Sequence, residues 1–379
     1  MIQLSRAQLY SFRLRRQHLA ERAPLENMIQ VVSDVCGLQA QVLSAAQIGL
    51  WARVTNITMA DVNKAIVEDR TLVKTWSVRN TLHLVAAVDL PLFVYALKEI
   101  KTKNMESWLT ANGLTVDEIQ SLMAAIVEAL SDGPLTRKQV SARIAPKFGP
   151  HVKAWLESGW GGVFHWPVTQ GLICFAPSQG KDILFVRVDQ WLPELKEVAM
   201  EEAQNALLRR YLRVYGPATP QDFSKWIGQS STKMRAVWTR LEPELIPVEV
   251  EGFERGYILR EDITAAQAEP LPSPHVCMLP TFDTYLQAHR EREHVDTAYH
   301  EHIYRIAGWV SSTLLIDGRV AGVWSYERRK NQLEVTIEPF VKLSQAIRTK
   351  IKEHAADLGR FFDLPSRVGI EKVTTPRRA

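Results

Sequence analysis

Two stretches of the chain begin alike: Gly133-Pro134-Leu135-Thr136-Arg137-Lys138-Gln139 and Gly216-Pro217-Ala218-Thr219-Pro220-Gln221-Asp222. Both read Gly-Pro-x-Thr and then turn helical. Thr136 with Gln139 is a capping-box pattern, in which the threonine hydroxyl and the later side chain each satisfy an orphan backbone N–H of the new helix. Thr219 with Asp222 is a close variant, and Pro220 falls at the first helical position, where its missing N–H costs little. Each start follows a helical stretch (residues 116–130 and 198–214) and leads to a second helix-like segment. A β-rich region broken by a polar turn comes next, at 171–188 and 245–259. Helix, helix, helix and a two-stranded wing is the order of a winged helix.

Working outward, the N-terminal region offers a looser third copy. Residues 5–19 are amphipathic with Ser5 as N-cap, and the apolar run 29–35 and a helical stretch from 41 to about 54 follow. Residues 72–85, with Asn80 as the turn candidate, read as a hairpin. After Ala265 the composition changes. Pro270, Pro272 and Pro274 mark a linker, because proline continues neither a helix nor a central strand. Short strand candidates lie beyond it at 276–279, 303–310, 312–316, 319–326 and 333–337, and residues 344–358 read as a closing helix. Asp317-Gly318 between two apolar runs is a two-residue hairpin turn. The expected fold is therefore α+β: three tandem winged-helix modules (1–112, 113–194 and 195–265) and a C-terminal β-barrel domain (266–379) capped by a helix.

The bulk properties permit this and exclude several classes. At 379 residues, 46% hydrophobic and 23% charged, the chain has the balance of a folded multi-module protein. No apolar run approaches the roughly 18 residues that span a bilayer, and the start Met1-Ile2-Gln3-Leu4-Ser5-Arg6 lacks a secretory layout. A cytoplasmic protein without a membrane partner is expected. A formal charge of +4 permits a nucleic-acid partner without requiring one. Cys36, Cys174 and Cys277 lie far apart and imply neither disulfides nor a thiolate zinc site. No phosphate-binding glycine loop, zinc helix or nucleophile elbow occurs, and Gly159-Trp160-Gly161-Gly162 reads as a joint. His289 with His294, and His300 with His302, lack a matching third ligand. No metal and no cofactor are expected. The charge runs Arg328-Arg329-Lys330 and Arg377-Arg378 read as solvated.

One segment carries chemistry. In Cys36-Gly37-Leu38-Gln39-Ala40-Gln41, Gly37 follows an apolar helix and suits its C-terminal cap. If the next residues are extended, Gln39 and Gln41 point to one side, because side-chain direction alternates. This segment, Trp51-x-Arg53 and Lys74-Thr75-Trp76-x-x-Arg79-x-Thr81-Leu82-His83-Leu84 together resemble the AlkZ/YcaQ family of bacterial DNA glycosylases. So do Arg210-Tyr211-Leu212 through Asp222, Leu279-Pro280-x-Phe282-Asp283-x-Tyr285-Leu286, Ala307-Gly308-Trp309-Val310 and Asp317-Gly318-Arg319-Val320-Ala321-Gly322.

The resemblance implies a C-shaped arrangement of the winged helices and removal of N7-alkylated purines, including those in interstrand crosslinks. It implies catalysis by Gln39 and Gln41, which match the Gln-x-Gln form of the motif; Ala40 stands where a larger aliphatic is usual. Such a base already carries positive charge and leaves without a strong acid. Glutamine amides, with donors and an acceptor, would hold water and sugar. Lys74 and Arg79 are candidates for phosphate contact, and His83 for DNA contact or a structural hydrogen bond. Arg319, after the Asp317-Gly318 turn, is a candidate minor-groove probe or an ordinary solvent-facing residue. Asp283 and Tyr285 would support the site or fix the start of the last domain. The expected partner is double-stranded DNA with alkylated or crosslinked purines, acted on by a monomer that hydrolyses without lyase chemistry. The competing reading is a non-enzymatic winged-helix DNA-binding protein or transcriptional regulator, since fold alone does not confer activity.

Overall fold

The computed structural model describes residues 2–158, 162–192, 194–252 and 255–374; the expected joint at 159–161 and the Arg377-Arg378 pair lie outside them. The chain is mixed α+β and forms two compact units, Met1–Val62 with Leu208–Ala379, and Asn63–Leu207.

In the second unit, the expected capping box at Thr136 is realised, and the preceding helix carries one too. Thr115 caps helix Val116–Ala129 and Thr136 caps Arg137–Phe148, each through a reciprocal box. The Gln139 N–H donates to Thr136 Oγ1 at 3.2 Å, and the Thr136 N–H donates to Gln139 Oε1 at 2.8 Å. Helix Pro150–Glu157 and the hairpin Ile173–Gln179/Asp182–Arg187 follow. The helices close over Ile119, Leu122, Ile126, Val140, Ile144, Phe164 and Phe185, a continuous apolar core. In the sheet, Leu82–Ala86, Leu72–Trp76, Ile173–Gln179, Asp182–Arg187 and Leu135–Thr136 lie side by side. The hairpin expected at 72–85 is thus Leu72–Trp76/Leu82–Ala86, in register Thr75↔His83. Arg79 and Asn80 at its tip are both left-handed, at φ 55° and 56°.

In the first unit, Thr219 and Asp222 form the same box at the start of helix Pro220–Ile227, with Pro220 in its first turn. Helix Ser231–Leu241 and the hairpin Leu245–Val250/Gly256–Leu259 complete that repeat. The strand Ile2–Leu4 then pairs in parallel with Leu245–Val250, Leu4 opposite Val250, and shares a core with Leu9, Phe12 and Ile258. A hairpin whose outer strand came from so distant a segment had no local signal.

The C-terminal region corrects one expectation. Strands Val276–Leu279, Thr313–Ile316, Arg319–Arg329, Gln332–Pro339 and Ser366–Ile370 form a five-stranded sheet in chain order. Among the described residues it does not close into the expected barrel: Val276–Leu279 and Ser366–Ile370 stand at opposite edges. The reason is the last connection. Helix Gln345–Phe361 crosses over and returns the chain parallel to Gln332–Pro339, extending the sheet outward instead of closing it. Residues 303–310, expected as a strand, instead hold the end of helix His300–Ile303 and a short 3₁₀ turn at Ile306–Gly308.

Candidate active site

Helix Met28–Asp34 ends in a tight reversal that delivers the chain to Gln39. The Gly37 N–H donates to the Val32 carbonyl at 2.9 Å, and the Cys36 N–H to Ser33 at 3.1 Å. Cys36 and Gly37 are both left-handed, at φ 58° and 84°. Gly37 takes this cost-free, whereas Cys36 adopts it against its Cβ. The turn is held from outside by Tyr215, whose buried hydroxyl donates to the Val35 carbonyl at 2.7 Å.

Only Leu38 and Gln39 are extended before a bend at Gln41 opens into helix Leu43–Trp51. Alternation along a longer strand is therefore not what relates the two amides. Gln39 is buried at 6% exposure, Ala40 is fully buried, and Gln41 is exposed. One side chain is enclosed by the protein and the other lies at the solvent boundary. Helix Leu43–Trp51 packs close to the Leu38 side chain: a Cβ on Gly49 would lie 3.3 Å from Leu38 Cδ2.

That helix is pinned at its far end by Arg53 and Asp283. Both side chains are fully buried, and the guanidinium grips the carboxylate through two bonds of 2.8 Å. Arg53 Nη1 also donates to the Gly49 carbonyl at 3.0 Å. Asp283 Oδ1 accepts the Tyr285 N–H at 3.0 Å, and the Tyr285 hydroxyl donates to the Gly318 carbonyl at 2.7 Å. Burial raises the Tyr285 phenol well above its usual pKa, so it stays a neutral donor. Asp283 and Tyr285 thus form a buried brace running from the helix after Gln41 to the Asp317-Gly318 turn. A second brace joins helix Arg6–Arg16 to the Gly216-Pro217 turn. Arg13 pairs with Glu293 at 2.6 Å and donates to the Pro217 carbonyl at 3.0 Å. Burial pushes the Glu293 carboxyl up, but Arg13 and the neighbouring His289 and His294 outweigh it and hold it down at about 2.

The Asp317-Gly318 turn has the expected two left-handed residues, at φ 51° and 79°. It does not project as a finger. Asp317 accepts from Ser273 and His275, both at 2.7 Å, and a Cβ on Gly318 would lie 2.6 Å from Tyr10 Cβ. The tip is seated on the body because the buried tyrosine ring leaves room only for glycine. Arg319 beside it is exposed.

Lys74, Arg79 and His83 belong to the second unit. Lys74 is half-buried, its ammonium 5.6 Å from the Phe175 ring centre, and burial lowers its pKa. Of the two roles open to His83, the structure shows the hydrogen bond: the residue is 1% exposed, and Nδ1 donates to the Thr81 carbonyl at 3.0 Å. Burial, reinforced by Arg79, drives its pKa to about 3. Sequence reasoning missed Lys101, which is buried and donates to the Ser77 carbonyl at 2.8 Å; burial lowers its pKa to about 7. Burial and Lys101 likewise bring His165 to about 3. Among the described residues no three His, Cys, Asp or Glu side chains converge as a metal site requires.

These buried imidazoles have a consequence for acid stability. Their folded pKa values lie below the ordinary 6.5, so the unfolded chain takes up protons first. Stability is full above pH 6.5 and is lost as pH falls toward 3. The melting temperature should decline below about pH 6.5, and more gently in His165→Phe, which also removes a buried unpartnered Nε2. An unchanged acid slope in that variant would contradict the assignment.

A family model described as DNA glycosylase AlkZ-like matches residues 32–361. The chain belongs to the AlkZ-like DNA glycosylase family. A relative named interstrand DNA cross-link repair glycosylase, from Streptomyces sahachiroi, is 29% identical over 361 residues, 93% of this chain and 95% of its own. The solved structure of Streptomyces sahachiroi DNA glycosylase AlkZ is 28% identical with a TM-score of 0.84, over 97% of this chain and 100% of the other. As a member of that family the chain is a DNA glycosylase, and DNA is its substrate; the regulator reading is set aside. Among the described residues no helix is long and apolar enough to cross a membrane.

Proposed function

We propose that this AlkZ-like glycosylase hydrolyses the N-glycosidic bond of N7-alkylated purines in duplex DNA, including purines joined in interstrand crosslinks, and leaves an abasic site for base excision repair. The observation that carries the reading is the pairing of a buried Gln39 with an exposed Gln41 on one braced turn. We assign Gln39 to orienting the attacking water through its amide, and Gln41 to meeting the deoxyribose at the solvent boundary. Neither is a strong base, so the site acts by positioning and by stabilising the cationic sugar. Undamaged neutral bases are poor leaving groups without an acid and stay untouched.

A monofunctional hydrolase is consistent with the lysines. Lys101 has the depressed pKa that Schiff-base chemistry uses, but it is buried and committed to the Ser77 carbonyl. We assign Lys74, Arg79 and Arg319 to phosphate contact, which holds the duplex without reading its sequence. The helix–helix–helix–hairpin runs are read as winged-helix modules over segments 1–112, 113–194 and 195–265, in a protein that works as a monomer. The direct test is incubation with a duplex carrying N7-methylguanine, followed by alkali. Strand cleavage at the adduct is expected; intact strands, or a borohydride-trapped covalent complex, would overturn the reading.

A further inference from the structure

We propose that Lys101 is a positioning residue for DNA binding, whose ammonium holds the hairpin tip at residues 77–81 in the strained form that presents Arg79 to a strand phosphate. The inference rests on the assignment of Arg79 to phosphate contact and not on which base is removed. The ladder of this hairpin ends with Trp76 opposite Leu82. Beyond it the Ser77 N–H donates to the Thr81 carbonyl at 3.0 Å, but the Thr81 N–H turns to the Val78 carbonyl at 3.2 Å. The Ser77 carbonyl thus loses its reciprocal partner across the tip. Lys101 takes that place, its Nζ donating at 2.8 Å from helix Leu90–Ala111, outside the hairpin. The tip needs such help. Arg79 and Asn80 are consecutive left-handed residues and neither is glycine, so each holds that form against its own Cβ. Val78 is fully buried, and the Thr81 carbonyl also accepts from His83 Nδ1 at 3.0 Å, which fixes the two flanks. Arg79 is half-buried and Asn80 exposed, so the tip itself reaches solvent.

Stability alone does not call for a lysine at this position. Its ammonium is buried and, among the described residues, has this one acceptor. Burial alone lowers its pKa, so no carboxylate offsets the lost hydration. The titratable groups that reach it are His83 of the hairpin and His165 of helix His165–Thr169, both depressed to about 3 and hence neutral. Asp117, Glu118 and Glu128 of the adjoining helix Val116–Ala129 are exposed, and Asp89 lies about three turns away at the start of Lys101's own helix. A methionine would fill nearly the same volume without an uncompensated charge. The hairpin, residues 72–86, contains Lys74 and Arg79 and no Asp or Glu. Lys74 is also half-buried, and burial alone lowers its pKa. Lys74, Arg79 and Lys101 thus serve one hairpin that brings no anion of its own. That charge pattern suits a surface whose counterion is a phosphate.

The test uses the full-length protein and measures melting temperature, affinity for an undamaged duplex at several salt concentrations, and amide hydrogen exchange at the tip. Lys101→Met should melt no lower than wild type, yet exchange its Ser77 and Thr81 amides faster. It should bind DNA about tenfold more weakly, the scale of one charged contact. Its salt dependence should fall by about one released counterion. Lys101→Arg should restore binding and protection, because it keeps a cationic donor. Arg79→Ala should match the binding loss of Lys101→Met, and the two together should lose no more than either alone. Additive losses would overturn the positioning role, as would unchanged exchange at the tip in Lys101→Met. So would weaker binding that merely follows a lower melting temperature and is not restored by Lys101→Arg. An Arg79→Ala variant that binds like wild type would instead remove the phosphate assignment of Arg79, while the exchange at the tip would decide the hold of Lys101 independently.

Discussion

Asp283→Ala should be the most destabilising single substitution proposed for this glycosylase, at about 3–5 kcal/mol, because it leaves a buried guanidinium without its carboxylate. Both partners have 0% side-chain exposure, so no water is at hand to take over from the lost oxygens. The effect should extend to activity. Arg53 terminates the segment whose other end begins just after Gln41, and the same carboxylate receives the Tyr285 N–H. Loosening it frees the turn that presents both amides. A buried pair is seldom a large net gain over apolar packing, however, so replacing both members should cost far less than replacing one. The measurement is urea unfolding of Asp283→Ala against the double variant Arg53→Met, Asp283→Leu. Recovery of most of the lost stability in the double variant is expected. Equal losses in the two would mean that shape, and not uncompensated charge, dominates this brace.

The Gln39→Ala, Gln41→Ala double variant should lose on the order of 100-fold or more in single-turnover excision of N7-methylguanine, the scale of removing a preorganised donor. The single variants should differ, because the two environments do. Gln39 is buried, so its loss removes an amide whose orientation is already fixed; Gln41 is exposed and gives up less order. Gln39→Ala is therefore expected to lower the chemical rate, and Gln41→Ala to act more on productive binding. DNA affinity should be nearly unchanged, since phosphate contacts made elsewhere carry most of it. Full activity in the double variant would end the assignment of these residues.

Much of this was legible in the chain itself. The capping boxes at Thr136 and Thr219 are local, each decided by residues three apart, and both formed as read. The Asp317-Gly318 turn and the hairpins after each repeat were likewise local, set by turn chemistry and alternation. Family membership was legible from the combination of blocks over nearly the whole chain. Other features had no local signature. Ser366–Ile370 is a short strand with a glycine and an arginine, and it becomes a strand only because a helix returns it parallel to its neighbour. That same crossover leaves the sheet open. Residues 303–310 have the apolar content of a strand, yet two left-handed residues turn them into a loop.

The site divides in the same way. Sequence alone singled out the two glutamines to which we assign the chemistry, and where the chain must turn to present them, because Gly37 and the apolar helix before it act within a few residues. Only the tertiary structure decided their environments, which depend on groups far away in the chain: Tyr215 on the Val35 carbonyl, and Asp283 on Arg53. It also buried His83 on a hydrogen bond to the Thr81 carbonyl and seated the Arg319 turn on Tyr10. Burial is a property of what surrounds a residue, and in this chain the surroundings come from segments up to hundreds of residues away.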